Sequence, residues 1–401
     1  MEFSGPFDFV IFGEHPAGLW VAKRLLSLEK KVLVLPLGKD GGLNSVPRSV
    51  IQDFGWTEEF LKQDVADPVQ ILTRDRRFRV GRSLEELNEE YRFQFGEAPG
   101  VNPSPEILRG LAYLSRGADT GPCFSEDWES WCLRALDTVH LDHERGYLVK
   151  QMLHSLAESG AQIARPSQLK QIFIDKKSLV GVQLEGTSKI IPVNAGVIAS
   201  HYDLVKSLMN DSGPSLSDPM GWTFDLGFEC APSSLPKGLS KRMLYLEPGA
   251  PVLEILHEIP GRFQLRTPLP FSDKSLNRSF QRRLCERMIQ VCERIIPDLE
   301  YNLRRVSPNL RDPEKTETVD LPARFPFEDL HRVPLERVFY GAGRNLGFQS
   351  PFANLFIVSE ESNPSLGLRG AYQAALQTFE ALNKRDQVNH YLSTSMANSF
   401  Q

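Results

Sequence analysis

The sequence predicts an α/β fold in two domains, and three observations carry that prediction. Residues 7–35 read as strand, glycine turn, amphipathic helix and strand, the opening of a dinucleotide-binding βαβ unit. A second αβ segment starts at Gly146, and the chain closes on an apolar strand at Asn354–Val358, a turn and the helix Gly370–Asn383. At 401 residues the chain is too long for one simple core. The simplest arrangement is a Rossmann-like domain interrupted twice by a second, sheet-containing domain.

The first element, Phe7–Phe12, is an apolar strand that runs into Gly13; a helix over Leu19–Lys31 and a strand at Val32–Leu35 follow. Such a unit holds a pyrophosphate on backbone N–H groups at the helix N-terminus. Its fingerprint wants three glycines. Gly13 and Gly18 fill the first and third places, but His15 stands at the second, where the backbone must come closest to the phosphates. His15 has two readings: a phosphate ligand through its ring N–H, or a helix cap ahead of Pro16, which suits the first helical position. The acidic residue expected at the end of the second strand, on a ribose hydroxyl, is Pro36. A lost carboxylate–hydroxyl bond costs about 1.5–3 kcal/mol, roughly a tenfold to hundredfold loss of affinity.

Further along, Val69–Leu72 and Arg77–Val80 read as a strand pair, and Ser83–Tyr91 and Pro105–Tyr113 as helices. The helix Tyr147–Ser159 leads into strand-like runs at Leu169–Ile174, Leu179–Leu184 and Ile190–Ile198. Strand-like runs at Arg242–Leu246, Val252–Glu258 and Arg262–Thr267 precede a long helix over Leu276–Ile296, stopped by Pro297. Arg337–Gly341 is a short apolar run into a glycine turn, assigned to the first domain. The expected map is therefore 1–66, 145–215 and 335–385 for the Rossmann-like domain, 67–144 and 216–334 for the substrate or cap domain, and a frayed polar tail at 386–401.

Composition narrows the partners. A net charge of −5, mixed along the chain, argues against nucleic acid. No stretch approaches the roughly 18 apolar residues of a spanning helix, and the N-terminus lacks the basic region of a signal peptide, so the expected location is cytoplasmic. Five cysteines form no CxxC and suit reduced thiols. The run His140–Glu144 has metal-ligand residue types but no distant fourth ligand, so it reads as a solvated loop and no metal site is expected. No nucleophile or zincin motif occurs, and no catalytic residue is assigned. Trp128, Trp131, Trp222, Phe224, Phe228, Phe263, Phe271 and Phe325 gather in the second domain. They line an apolar substrate pocket or simply pack a core.

Over nearly its whole length the chain resembles the flavoprotein superfamily of amine oxidases and phytoene desaturases, including the carotenoid isomerases. Gly41 and Gly42 resemble the paired glycines that lie against the flavin nucleotide, although Leu43 replaces the arginine often found after them. Gly146–Ile163 resembles the helix that enters the second half of the nucleotide domain, and Leu169 falls where a strand backbone usually meets the adenine. Ile357–Ala375 aligns without gaps to the family's terminal flavin-binding turn. There Glu360 takes the acidic position on the ribityl chain, Pro364, Gly367, Gly370 and Ala371 fall where expected, and Ser359 and Ser365 replace glycines.

The resemblance implies an FAD/NAD(P)-binding domain with FAD as the cofactor. Its damaged motifs predict an oxidoreductase-like protein with weak or absent FAD binding. One alternative is an active flavin-dependent oxidoreductase or isomerase on an apolar or amine-bearing small molecule, the flavin carrying the chemistry. The other is a flavin-free binding protein or chaperone for an apolar ligand or a lipidated partner, for which the Rab GDP-dissociation inhibitors are the precedent.

Overall fold

The computed structural model describes residues 3, 5–37, 45–56, 68–100, 103–116, 127–140, 146–166, 168–210, 221–231, 235–236, 238–270, 278–307, 335–338, 347–363 and 366–399. The chain divides into two compact units. Unit 1 comprises Met1–Glu59, Arg145–Asp218 and Arg344–Gln401; unit 2 comprises Phe60–Glu144 and Pro219–Gly343.

Unit 1 is a mixed seven-stranded sheet with helices. Its strands are β1 (Phe7–Phe12), β2 (Val32–Leu35), β3 (Gln162–Ile163), β4 (Leu169–Asp175), β5 (Ser178–Leu184), β6 (Ile190–Ile198) and β7 (Leu355–Ile357). They run in the order β3-β2-β1-β6-β5-β4, with β7 also paired to β6. The strands β3, β2, β1, β6 and β7 are parallel, with Phe12 opposite Ile198 and Ile198 opposite Ile357. All four residues of β2 are buried, as a parallel strand covered on both faces requires. β6 changes partner along its length: Ile190–Pro192 pair antiparallel with β5, and Val193–Ile198 pair with β1. Asn354, 4% exposed, locks this junction. Its amide donates to the carbonyls of Leu179 (2.8 Å) and Asn194 (2.7 Å) and accepts from the Leu179 N–H (2.7 Å).

The helices of unit 1 are α1 (Pro16–Ser27), α2 (Arg48–Asp53), α3 (Tyr147–Glu158), α4 (Tyr202–Lys206) and α5 (Leu368–Ser399). α1 starts earlier than the apolar periodicity suggests because Pro16 occupies its first turn, and it stops before Lys31 because Glu29 turns left-handed at φ 59°. Asp53 braces α1 to α2, accepting from Trp20 Nε1 at 2.6 Å and from Arg24 at 2.9–3.0 Å. α5 meets α1 through an edge-to-face pair of Tyr372 and Trp20. The expected frayed tail is corrected: α5 continues to Ser399, because Lys384–Ser399 contains no glycine or proline to end it.

Unit 2 holds an eight-stranded sheet. The order is Leu303–Ser307, Gly221–Cys230, Arg262–Pro270, Leu253–Ile259, Arg242–Tyr245, Gln70–Leu72, Arg77–Arg79. Leu335–Val338 pairs antiparallel with Gly221–Phe224. That strand was expected in the first domain; its hydrogen bonds to the Gly221–Cys230 strand place it here instead. Phe224, Leu226, Phe228, Phe263 and Leu265 form one buried cluster with Met288, Ile289 and Cys292 of the helix Arg278–Ile295. The opposite register carries ion pairs, Asp225 with Arg266 at 2.9 Å and Glu254 with Arg242 at 2.6 Å. Trp128 and Trp131 pack a separate cluster with Phe78, Tyr91 and Leu111. Trp128, Trp131, Phe224, Phe228 and Phe263 therefore fill cores; Phe271, Phe325 and the side chain of Trp222 lie outside what the structure describes. Among the described residues no helix is long and apolar enough to cross a membrane, and no group of three or more metal-ligating side chains occurs.

Candidate functional site

In open α/β sheets ligands bind at the carboxyl ends of the strands. In unit 1 those ends are the Gly13–Gly18 turn after β1, Ala199–His201 after β6 and Ser359–Ser362 after β7, on three neighbouring strands. The sequence-derived residues of the first and last segments thus flank the end of β6. Gly367 and Gly370 lead into α5, and Ala371 is fully buried in its first turn. Leu169 begins β4 with its side chain in the core. Gly41, Gly42, Leu43, Pro364 and Ser365 lie outside the described residues.

The surviving glycines serve the fold. Gly13 sits at φ +101°, and a Cβ there would lie 2.2 Å from the Ala199 carbonyl oxygen. A Cβ on Gly18 would lie 2.2 Å from the Ala199 Cβ, which is the close helix–strand packing that the third fingerprint glycine permits. Gly370 is pressed on the backbone of Asn363, whose carbonyl oxygen is 2.4 Å from the same point. The fingerprint place whose glycine exists for the ligand is the one that carries His15.

His15 is the cap. Its Nδ1 accepts the Ala17 N–H at 3.2 Å, so the ring proton sits on Nε2, which is shut off from solvent with no partner. Burial, and then the neighbouring His201, push the His15 pKa down to about 4. The amides around it are consumed as well. Gly13 N–H donates to Leu35 O (2.9 Å), His15 N–H to Ala199 O (2.9 Å), and Gly18 and Leu19 N–H both donate to His15 O (2.9 and 3.1 Å). Pro16 has none. An anion at this helix end would have to displace bonds the protein makes with itself. These residues do not fit a dinucleotide pyrophosphate, and Pro36 offers no acceptor for a ribose.

Two residues of the crevice escaped the sequence reading. Glu361 is buried, its side chain 1% exposed, whereas its neighbour Glu360 is half-buried. Glu361 Oε2 accepts the Tyr202 N–H at 2.8 Å and its Oε1 lies 3.3 Å from His201 Nδ1. No local signal separated the two glutamates; on the short 3₁₀ turn Glu360–Ser362 it is Glu361 and Ser362 that are buried.

No protein-family model matches the chain, and no curated protein is similar to it in sequence. Solved structures are similar in fold. One is an oxidoreductase from Methanosarcina mazei, with a TM-score of 0.56 and 9% identity, covering 93% of this chain and 100% of that one. Another is a geranylgeranyl bacteriochlorophyll reductase-like protein from Thermoplasma acidophilum, with a TM-score of 0.53 and 12% identity, covering 95% and 79%. A third is a probable FAD-dependent monooxygenase from Pseudomonas aeruginosa, with a TM-score of 0.51 and 13% identity, covering 94% and 86%. The chain has the fold of FAD-dependent oxidoreductases.

Proposed function

We propose that this chain is a divergent FAD-oxidoreductase-like protein, of the amine oxidase and phytoene desaturase type, that binds FAD weakly or not at all and works by binding rather than by flavin redox chemistry. The observation that carries this reading is the closed turn at His15. The glycines needed for packing are kept, while the amides needed for a pyrophosphate are spent on the Leu35, Ala199 and His15 carbonyls and on the His15 ring. Each bond from a backbone N–H to a charged phosphate oxygen contributes about 1.5–3 kcal/mol. Losing two weakens binding by roughly 10²- to 10⁴-fold, before the ribose contact missing at Pro36 is counted. The core positions of Phe224, Phe228, Phe263, Trp128 and Trp131 leave the apolar-substrate reading without its main support.

The test is the visible spectrum of freshly purified protein, followed by reconstitution with added FAD. Little or no flavin is expected, and a full complement of bound flavin would overturn the reading in favour of an active oxidoreductase. Restoring the fingerprint with His15→Gly and Pro36→Glu together should raise FAD affinity. A folded double variant that stays colourless would move the cause to the terminal turn, where Ser359 and Ser365 replace glycines.

A further inference from the structure

We propose that the outer face of the β4–β5–β6 meander in unit 1 is a docking surface for an anionic lipid bilayer. The meander is antiparallel, and its inward residues Ile172, Ile174, Leu179, Val182, Leu184 and Ile191 all lie in the core. A sheet with one face on the core and the other toward water carries polar residues on that second face. This one does not. Its outward register sets Phe173 opposite Gly181 and Gly181 opposite Pro192; the next row is Gln171, Gln183 and Ile190. Ile190 leans across the glycine, its Cγ2 2.6 Å from where a Gly181 Cβ would lie. Val180, the extra residue at a bulge in the β4–β5 ladder, is 44% exposed and Ile190 45%. Neither row carries a charged side chain.

The charge lies around these rows. Between Leu169 and Pro192 the chain holds Lys170, Lys176, Lys177 and Lys189 against Asp175 and Glu185, all exposed, whereas the whole chain carries −5. Among the described residues none of the four lysines is in an ion pair. Lys176 and Lys177 form the tip of the β4–β5 hairpin at φ 47° and 61°, a left-handed pair for which asparagine and glycine are the ordinary residues. The Lys177 carbonyl accepts the Ala353 N–H at 2.9 Å. The fold therefore uses the turn, but nothing in the backbone asks for lysine there. An apolar area framed by cations suits a negative membrane surface, where the apolar side chains enter the headgroup layer and each lysine meets the surface potential. Other occupants suit it less. A peptide strand needs an open edge, but Ile172 on β4 already donates its N–H to Leu208 O (2.8 Å) and accepts the Asn210 N–H (3.1 Å). A second copy docked face to face about a two-fold axis would set lysines against lysines. The meander pairs with Ile190–Pro192, the first residues of β6, whereas the crevice lies at the other end of that strand, so the proposal does not depend on the flavin reading.

The experiment is co-sedimentation of the full chain with phosphatidylcholine vesicles made with or without phosphatidylglycerol. Wild type should bind the anionic vesicles and not the neutral ones, and should be released as salt rises. Lys176→Asn together with Lys177→Gly removes both tip charges and suits the turn better. That variant should be at least as stable as wild type and bind the anionic vesicles roughly tenfold more weakly. Val180→Ser together with Ile190→Ser changes two exposed positions and should also bind roughly tenfold more weakly. Circular dichroism checks that each variant is folded, and Val180→Ser alone replaces the second pair if that pair is not. No binding by wild type, equal binding to neutral vesicles, or undiminished binding by either folded variant would overturn the proposal. So would a wild-type dimer in sedimentation velocity that the serine variant turns into a monomer, because the face would then belong to a second copy.

Discussion

Acidification should weaken unit 1 through one imidazole, and the size of the effect follows from where His15 sits. In the folded chain its pKa falls from 6.5 to about 4, first through burial and then through His201. Between those values the unfolded chain binds a proton that the folded chain does not, so stability falls as pH falls through this window. The loss begins near the unfolded value and levels off below the folded one. In the limit it amounts to about 3 kcal/mol, and between pH 7 and pH 5 to about 2 kcal/mol. The perturbation is His15→Ser, which keeps an oxygen able to cap the Ala17 N–H and removes the titrating group. The assay is urea unfolding followed by circular dichroism at pH 7 and pH 5, for wild type and variant. Wild type should lose about 2 kcal/mol more than the variant across that interval; other titrating groups contribute to both and largely cancel. Equal losses would show that the ring is not held neutral and buried, and the account of the closed turn would fail with it.

Two further expectations concern the frame around the crevice. Asn354→Leu removes three hydrogen bonds, two of them to buried backbone groups of Leu179 and one to the part-buried Asn194 carbonyl. It should cost about 2–4 kcal/mol in denaturant unfolding, and a change within experimental error would contradict the junction described for β6. Gly370→Ala drives a methyl group against the Asn363 carbonyl, 2.4 Å away, at the start of α5. A loss of about 1–3 kcal/mol is expected, and a variant as stable as wild type would mean that this glycine is free for a ligand after all.

Much of the fold was legible because its signals are local. The run Phe7–Leu35 alternates period and turn chemistry within a few residues, and the strands and helices of residues 147–198 follow from apolar spacing alone. Two elements were misread for physical reasons. Leu335–Val338 has the composition of a strand, but composition does not say which sheet supplies its hydrogen bonds; Gly221–Phe224 does. The tail after Lys384 is polar, and polarity suggested fraying, yet helix continuation depends on the absence of breakers as much as on apolar spacing.

The sequence by itself determined that a βαβ unit opens the chain, that His15 stands between Gly13 and Gly18 where a dinucleotide fingerprint has its second glycine, and that Pro36 follows the second strand where that fingerprint has an acidic residue. Each of these is a property of one residue at one spacing. Only the tertiary structure decided what fills the vacancy. The His15 ring could have pointed outward to an anion; instead it accepts the Ala17 amide, while the His15 N–H donates to the Ala199 carbonyl on β6's continuation. Glu360 and Glu361 are adjacent and chemically identical, and nothing local distinguishes them. Glu361 is the buried one because Tyr202 and His201, brought beside it by β6–β7 pairing, give it an amide and an imidazole. A carboxylate's environment is set by groups that the sheet brings near, and these lie 159 and 160 residues away.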